Sequence, residues 1–173
     1  MSPDELKAKL EPWLAGVSRA ESVSIIDMEK LSGGAIQENW FVNAGFSSGP
    51  ATGIQKLVIR TDAPASVSTS HSRSQEFILL QQAFKAGVRV PEPLWCCDDL
   101  EVLGRSFFVM RRVAGVAAGF KITKDSSLGG DRRQLLKNLG RELARIHTIT
   151  PPNDALSFLS VPDVDPAARD IAQ

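Results

Sequence analysis

Two hydrophobic periods alternate along this chain, and their alternation predicts its elements. Leu6, Leu10, Trp13 and Leu14 recur at helical spacing, and Ser2, Pro3 and Glu5 before them form a capping box with proline in the first helical position. A first helix is expected there, ending at Gly16. The stretches SVSIIDMEKL and IQENWFVNAGF, within residues 22–46, are β-friendly and flank Ser32, Gly33 and Gly34, a hairpin signal. Gly49, Pro50 and Gly53 mark a turn. The strand IQKLVIRTD then places Leu57 and Ile59 on one face and Val58 and Arg60 on the other.

Residues 61–74 are polar, rich in Ser, Thr and Ala, and too poor in large apolar groups to pack, so a mobile loop is expected. In SRSQEFILLQQAFKAG the positions Phe77, Leu80, Ala83 and Phe84 return to helical spacing, with Ser72 or Ser74 as cap and Gly87 as stop. The prolines of VRVPEP force an extended crossing. LWCCDD and RSFFVMRRV follow as strands, the second an apolar run suited to burial. Gly115, Gly119, Gly129 and Gly130 mark irregular chain, and Leu135, Leu139, Leu143 and Ile146 then form one stripe of a helix from Asp131 to His147, stopped by Pro151 and Pro152. Asp165 and Pro166 open a further helix shortly before the last residue, which reads as the N-terminal portion of a longer protein.

Composition narrows the function classes. Twenty Lys and Arg balance 20 Asp and Glu, which leaves no field to attract nucleic acid or an anionic membrane. With 173 residues, 43% of them hydrophobic, a core is attainable without a disulfide or metal staple. Cys96 and Cys97 are adjacent, so strand geometry points them to opposite faces, and neither His71 nor His147 has a neighbour at zinc spacing. The charged start MSPDELKAKL is no signal peptide, and no run of about 18 apolar residues follows, so a cytoplasmic location is expected.

The candidate chemistry lies in five short segments. Gly33 and Gly34 lack side chains, so main-chain N–H groups there can approach an anion; the plain alternative is a hairpin turn. Arg60 on its strand and Glu76 on the following helix can form an ion pair, either functional or a weak surface contact. Together LSGGAIQENWFV, KLVIRTDAP, SQEFILLQQAFKAGVRVPEPLW, RSFFVMRRVAG and LGRELARIHTI resemble the aminoglycoside phosphotransferase and choline-kinase-like family, in the branch related to acyl-CoA-dehydrogenase-associated kinases. The likeness spans residues 23–150.

It implies an α+β fold, a kinase-like N-lobe with an antiparallel sheet of about five strands and a helix packed on it, followed by the start of a helical C-lobe. The corresponding boundaries are 1–112 for the nucleotide-binding lobe and 113–173 for the hinge and the opening of the helical lobe. By the same resemblance Gly33 and Gly34 cover phosphates, and Arg60 stands where such folds place a lysine, steadied by Glu76. Met110 lines an adenine pocket, and the main chain of Arg111, Arg112 and Val113 reads the base edge. His147 is then a packing residue, and Trp13, Trp40 and Trp95 belong in or near the core.

The implied reaction is phosphoryl transfer from ATP, with Mg²⁺, to a small-molecule hydroxyl. The family's H-G-D-x-x-x-x-N motif, source of the base and of metal ligands, does not occur in this sequence, so the chain alone is expected to bind nucleotide without catalysing transfer. The alternative is a naturally short, non-catalytic nucleotide-binding or protein-interaction module.

Overall fold

The computed structural model describes residues 2–31, 37–62, 71–115 and 119–161. Helix α1 (Pro3–Ser18) begins as the sequence dictates: the Ser2 hydroxyl accepts the Glu5 N–H, and the Glu5 carboxylate accepts the Ser2 N–H. It runs past Gly16 to Arg19, whose left-handed conformation (φ 58°) caps it. Gly49 approaches this cap from the turn that follows Phe46. A side chain at Gly49 would place its Cβ 2.8 Å from the Arg19 carbonyl oxygen, and its φ of 82° also excludes most other residues.

Strands β1 (Val23–Lys30), β2 (Gln37–Phe46) and β3 (Gly53–Asp62) form a meander, and β4 (Pro93–Cys97) and β5 (Phe107–Arg111) complete the sheet. The order is β1-β2-β3-β5-β4, with every neighbouring pair antiparallel. The expected five-stranded sheet is therefore present, with the apolar run FFVM near its centre. Residues 32–36 between β1 and β2, where the hairpin turn with Gly33 and Gly34 is expected, lie outside the described residues, as do residues 162–173, where a further helix is expected.

Each face of the sheet packs differently. Leu57, Ile59, Phe107 and Val109 point to the α1 side, where they join Leu6, Leu10, Leu14, Ile25 and Val42 in the main core. Trp13 meets Phe107 edge-on, 4.7 Å between ring centroids. The other face carries a smaller cluster of Val58, Phe108 and Met110, covered by Phe77 from helix α2 (Arg73–Lys85). This is the period-two alternation anticipated for Leu57/Ile59 against Val58/Arg60. The adjacent cysteines obey the same rule: Cys97 joins the α1-side core and Cys96 packs against the α2-side cluster, and both are free thiols.

Several expectations are corrected. The loop expected over 61–74 is narrowed at both ends: Thr61 and Asp62 complete β3, as the strand IQKLVIRTD implied, with Thr61 Oγ1 bonded to the Ser106 carbonyl, and α2 starts at Arg73, which selects Ser72 over Ser74 as its cap. The cause is Ser72, which caps Gln75 and receives its side chain in return, so helix formation begins inside a polar stretch. A one-turn helix, α3 (Leu100–Leu103), capped by Asp99, separates β4 from β5, and a short α4 (Gly119–Lys124) interrupts the glycine-rich chain. Helix α5 (Arg132–Ile146) forms with Asp131 as its cap, but none of its residues is buried. His147, expected to pack, caps that helix with an exposed side chain, because the Leu139, Leu143 and Ile146 positions it would have joined are themselves exposed.

Candidate functional site

The β2–β3–β5 register builds one candidate face. Antiparallel pairing sets Asn39 opposite Arg60 and Arg60 opposite Phe108, and one step along it sets Phe41 opposite Val58 and Val58 opposite Met110. Two cross-strand rows result on the face that α2 covers only in part, one with Asn39 and Arg60 beside Phe108 and one wholly apolar. Beside them lies a cleft of about 470 Å³ lined by Arg60, Asn39, Phe41, Val58 and Met110, closed by Leu31, Pro91 and residues 111–115. The structure thus gathers Arg60, Met110, Arg111, Arg112 and Val113 around one cavity.

Arg60 is held at two points. Its Nε donates to Asn39 Oδ1 at 3.0 Å and its Nη1 to Glu76 Oε1 at 2.9 Å, while its guanidinium carbon lies 5.9 Å from the centroid of the Phe108 ring. The Arg60–Glu76 pair inferred from the sequence is therefore formed, and it is only about one-quarter exposed on either side, unlike a fully solvated surface contact. Glu76 also bonds Arg73, a residue with 2% exposure that was no site candidate in the sequence.

The remaining candidates divide between side chain and main chain. Met110 is buried beside Val58 and Phe108 and forms part of the apolar floor. Arg112 places its guanidinium 5.1 Å from the centroid of the Phe41 ring, a cation–π contact within the cleft. Arg111 differs: its Nε donates to Glu92 and its Nη1 to Gln55, both at 2.6 Å, and strand alternation puts it on the face of Leu57 and Val109. Its contribution to the cleft is therefore through the backbone. Gly33 and Gly34 cannot be placed against the cleft, since they lie outside the described residues.

Asn39, Phe41 and Arg73 went unnoticed in the sequence. The first two were legible as alternating members of β2 once its register with Arg60 is known; Arg73 carried no such signal. On the same face, burial pushes the Cys96 thiol up to about 11, with the charge of Asp98 adding to the effect, so it stays protonated at neutral pH. Among the described residues no group of three or more His, Cys, Asp or Glu is arranged to hold a metal. None of their helices is long and apolar enough to cross a membrane. A second hollow of about 440 Å³, lined by residues 149–161, is mostly apolar and contains none of the candidate residues.

A family model described as APH, phosphotransferase enzyme family, matches residues 27–173. The chain belongs to the phosphotransferase enzyme family. Acyl-CoA dehydrogenase family member 11 of Homo sapiens is 26% identical over 149 residues, which cover 83% of this chain and 17% of that protein. Family member 10 of Mus musculus is 26% identical over 145 residues, covering 81% and 12% respectively. The crystal structure of a putative aminoglycoside phosphotransferase from Ralstonia eutropha superposes with a TM-score of 0.63 at 21% identity, over 90% of this chain and 42% of that one. That match shows the same kinase-like fold. The chain spans less than one-fifth of these two curated relatives and under half of the solved structure.

Proposed function

We propose that this chain is the nucleotide-holding segment of an ATP-dependent phosphotransferase that acts on a hydroxyl of a small molecule, with the nucleotide lobe at 1–112 and the hinge and helical segment at 113–173. The observation that carries the reading is Arg60, fixed by Asn39 and Glu76 at the side of an apolar-floored cleft. A guanidinium in a partly desolvated setting suits a phosphate, because it stays charged and donates from a rigid fork. Glu76 holds it against the pull of solvent. Gly33 and Gly34 cover the phosphates in this reading.

The nucleotide fits the residues present. Phe41, Val58 and Met110 supply a flat apolar floor for a base. The Arg111 N–H is taken by the Glu92 carbonyl and the Arg112 N–H by the Lys56 carbonyl, each at 2.9 Å. Donation to the base edge therefore falls to the Val113 N–H, and acceptance to the main-chain carbonyls of residues 111–113. ATP, when bound, supplies the phosphoryl group. The described residues do not suit a metal, so Mg²⁺ ligands and the base are assigned to the family's H-G-D-x-x-x-x-N motif, which the sequence does not contain. By itself the chain binds without transferring.

Calorimetric titration of the chain with ADP, beside Arg60→Ala, tests this. Loss of charge-assisted hydrogen bonds at about 1.5–3 kcal/mol weakens ADP by roughly tenfold or more and adenosine far less. Equal ADP affinity in both proteins removes Arg60 from the phosphates. Absence of binding to the unaltered chain overturns the nucleotide reading.

A further inference from the structure

We propose that Arg73, which lies outside the cleft, is its positioning residue: it clamps Glu76 from behind and thereby presets the orientation of Arg60. The inference rests on reading Arg60 as the phosphate contact.

Arg73 occupies an unfavourable place. It is the first residue of α2, where the helix dipole repels a cation, and its guanidinium is withdrawn from water. Its partners offset both costs. Nε stands 3.0 Å from Asp62 Oδ1, an ionic contact without the in-line geometry of a hydrogen bond. Nη1 donates to Glu76 Oε2, and Nη2 donates to the His71 carbonyl at 3.2 Å. One side chain thus joins the end of β3, the chain entering α2 and the first turn of that helix.

The consequence reaches the cleft through one carboxylate. Glu76 lies three residues after Arg73, on the same side of the helix, and its two oxygens are divided: Oε2 to Arg73 and Oε1 to Arg60. A glutamate side chain has three torsions and, held at one oxygen, presents the other at a defined point. Arg60 receives that oxygen on Nη1 while Asn39 holds its Nε, so its fork is oriented from two sides. Lysine at position 73 keeps the charge but has no planar fork with which to hold Asp62, Glu76 and the His71 carbonyl together.

The test compares Arg73→Lys, Arg60→Ala and the double variant in the full 173-residue chain, with ADP as probe and thermal melting as the check on folding. Arg73→Lys is expected to weaken ADP by roughly tenfold, and to weaken it no further once Arg60 is alanine. Additive losses mean that Arg73 acts only on the structure at large, and overturn the proposal. The Arg60 Nε–Hε NMR signal of the ligand-free chain is a readout that needs no nucleotide. It is expected to shift and broaden in Arg73→Lys, and an unchanged signal overturns the clamp. A shifted signal together with equal ADP affinity in Arg60→Ala supports the clamp while overturning the phosphate reading. Should Arg73→Lys fail to fold, Asp62→Asn loosens the same guanidinium at its other end and is judged by the same signal.

Discussion

The sheet with α1 and α2 and the helix α5 were both readable as amphipathic, yet they end in opposite states. In the first, Leu10, Leu14, Leu57 and Phe107 are sealed from solvent between helix and sheet. In the second, Leu139 and Leu143 remain 58% and 53% exposed, and no residue of α4 or α5 is buried. The helix itself needs only its own periodicity and a cap, which Asp131 provides. Burial needs a broad facing surface, and among the described residues no position of α5 reaches it. Its visible link to the lobe is polar: Glu142 accepts the Arg89 N–H at 2.8 Å.

That contrast can be broken most directly by truncation in each region. Phe107→Ala should cost about 3–5 kcal/mol in chemical denaturation, whereas Leu143→Ala should stay within about 0.5 kcal/mol. Comparable losses would mean that the α5 stripe is covered in solution. Caps sharpen the comparison at a smaller scale. Removing the Ser72 cap by Ser72→Ala should lower global stability by about 1 kcal/mol, since α2 is packed on the sheet; Asp131→Ala should fray α5, visible as faster amide exchange, with little change in the melting midpoint.

The smallest effect is a pH dependence. Burial raises Glu38, but its bond to Lys30 and the charge of Arg105 outweigh this, so its carboxyl titrates below the ordinary 4.5. Glu142 is also lowered, chiefly by the Arg89 N–H. Folded-state values below the unfolded ones mean stabilisation that is complete above the unfolded value and lost as pH falls through the folded one. Glu38→Gln should therefore flatten the acid limb of the lobe's stability curve below about pH 4.5, while Glu142→Gln should alter only exchange in α5. Parallel acid limbs in both variants and the unaltered chain would remove these carboxylates from the balance.

Much of the site was legible because strands impose strict alternation. Given β3, the placing of Arg60 opposite in sense to Leu57 and Ile59 follows from the backbone, and Glu76 lies on the next helix within reach. Arg73 was not legible as a site residue: a Ser72 cap makes it the first residue of a helix, but only the docking of that helix sets its guanidinium against Asp62, Glu76 and the His71 carbonyl. Nor could residue 111 be separated from 112: both are arginines in one apolar run, and only the sheet turns one toward Gln55 and the other onto Phe41.

The amino-acid sequence by itself determined the order of the five strands and of α1, α2 and α5, the first helix cap and the two faces of β3, since these depend on neighbours a few residues away. Tertiary structure alone decided which of the caps and cations matter. Asn39, Arg60, Arg73 and Glu76 come from β2, β3 and α2, up to 37 positions apart, and only strand register and helix docking bring their charges within hydrogen-bond distance. The same holds for burial: an apolar stripe is a property of one segment, but excluding water from it takes a second surface.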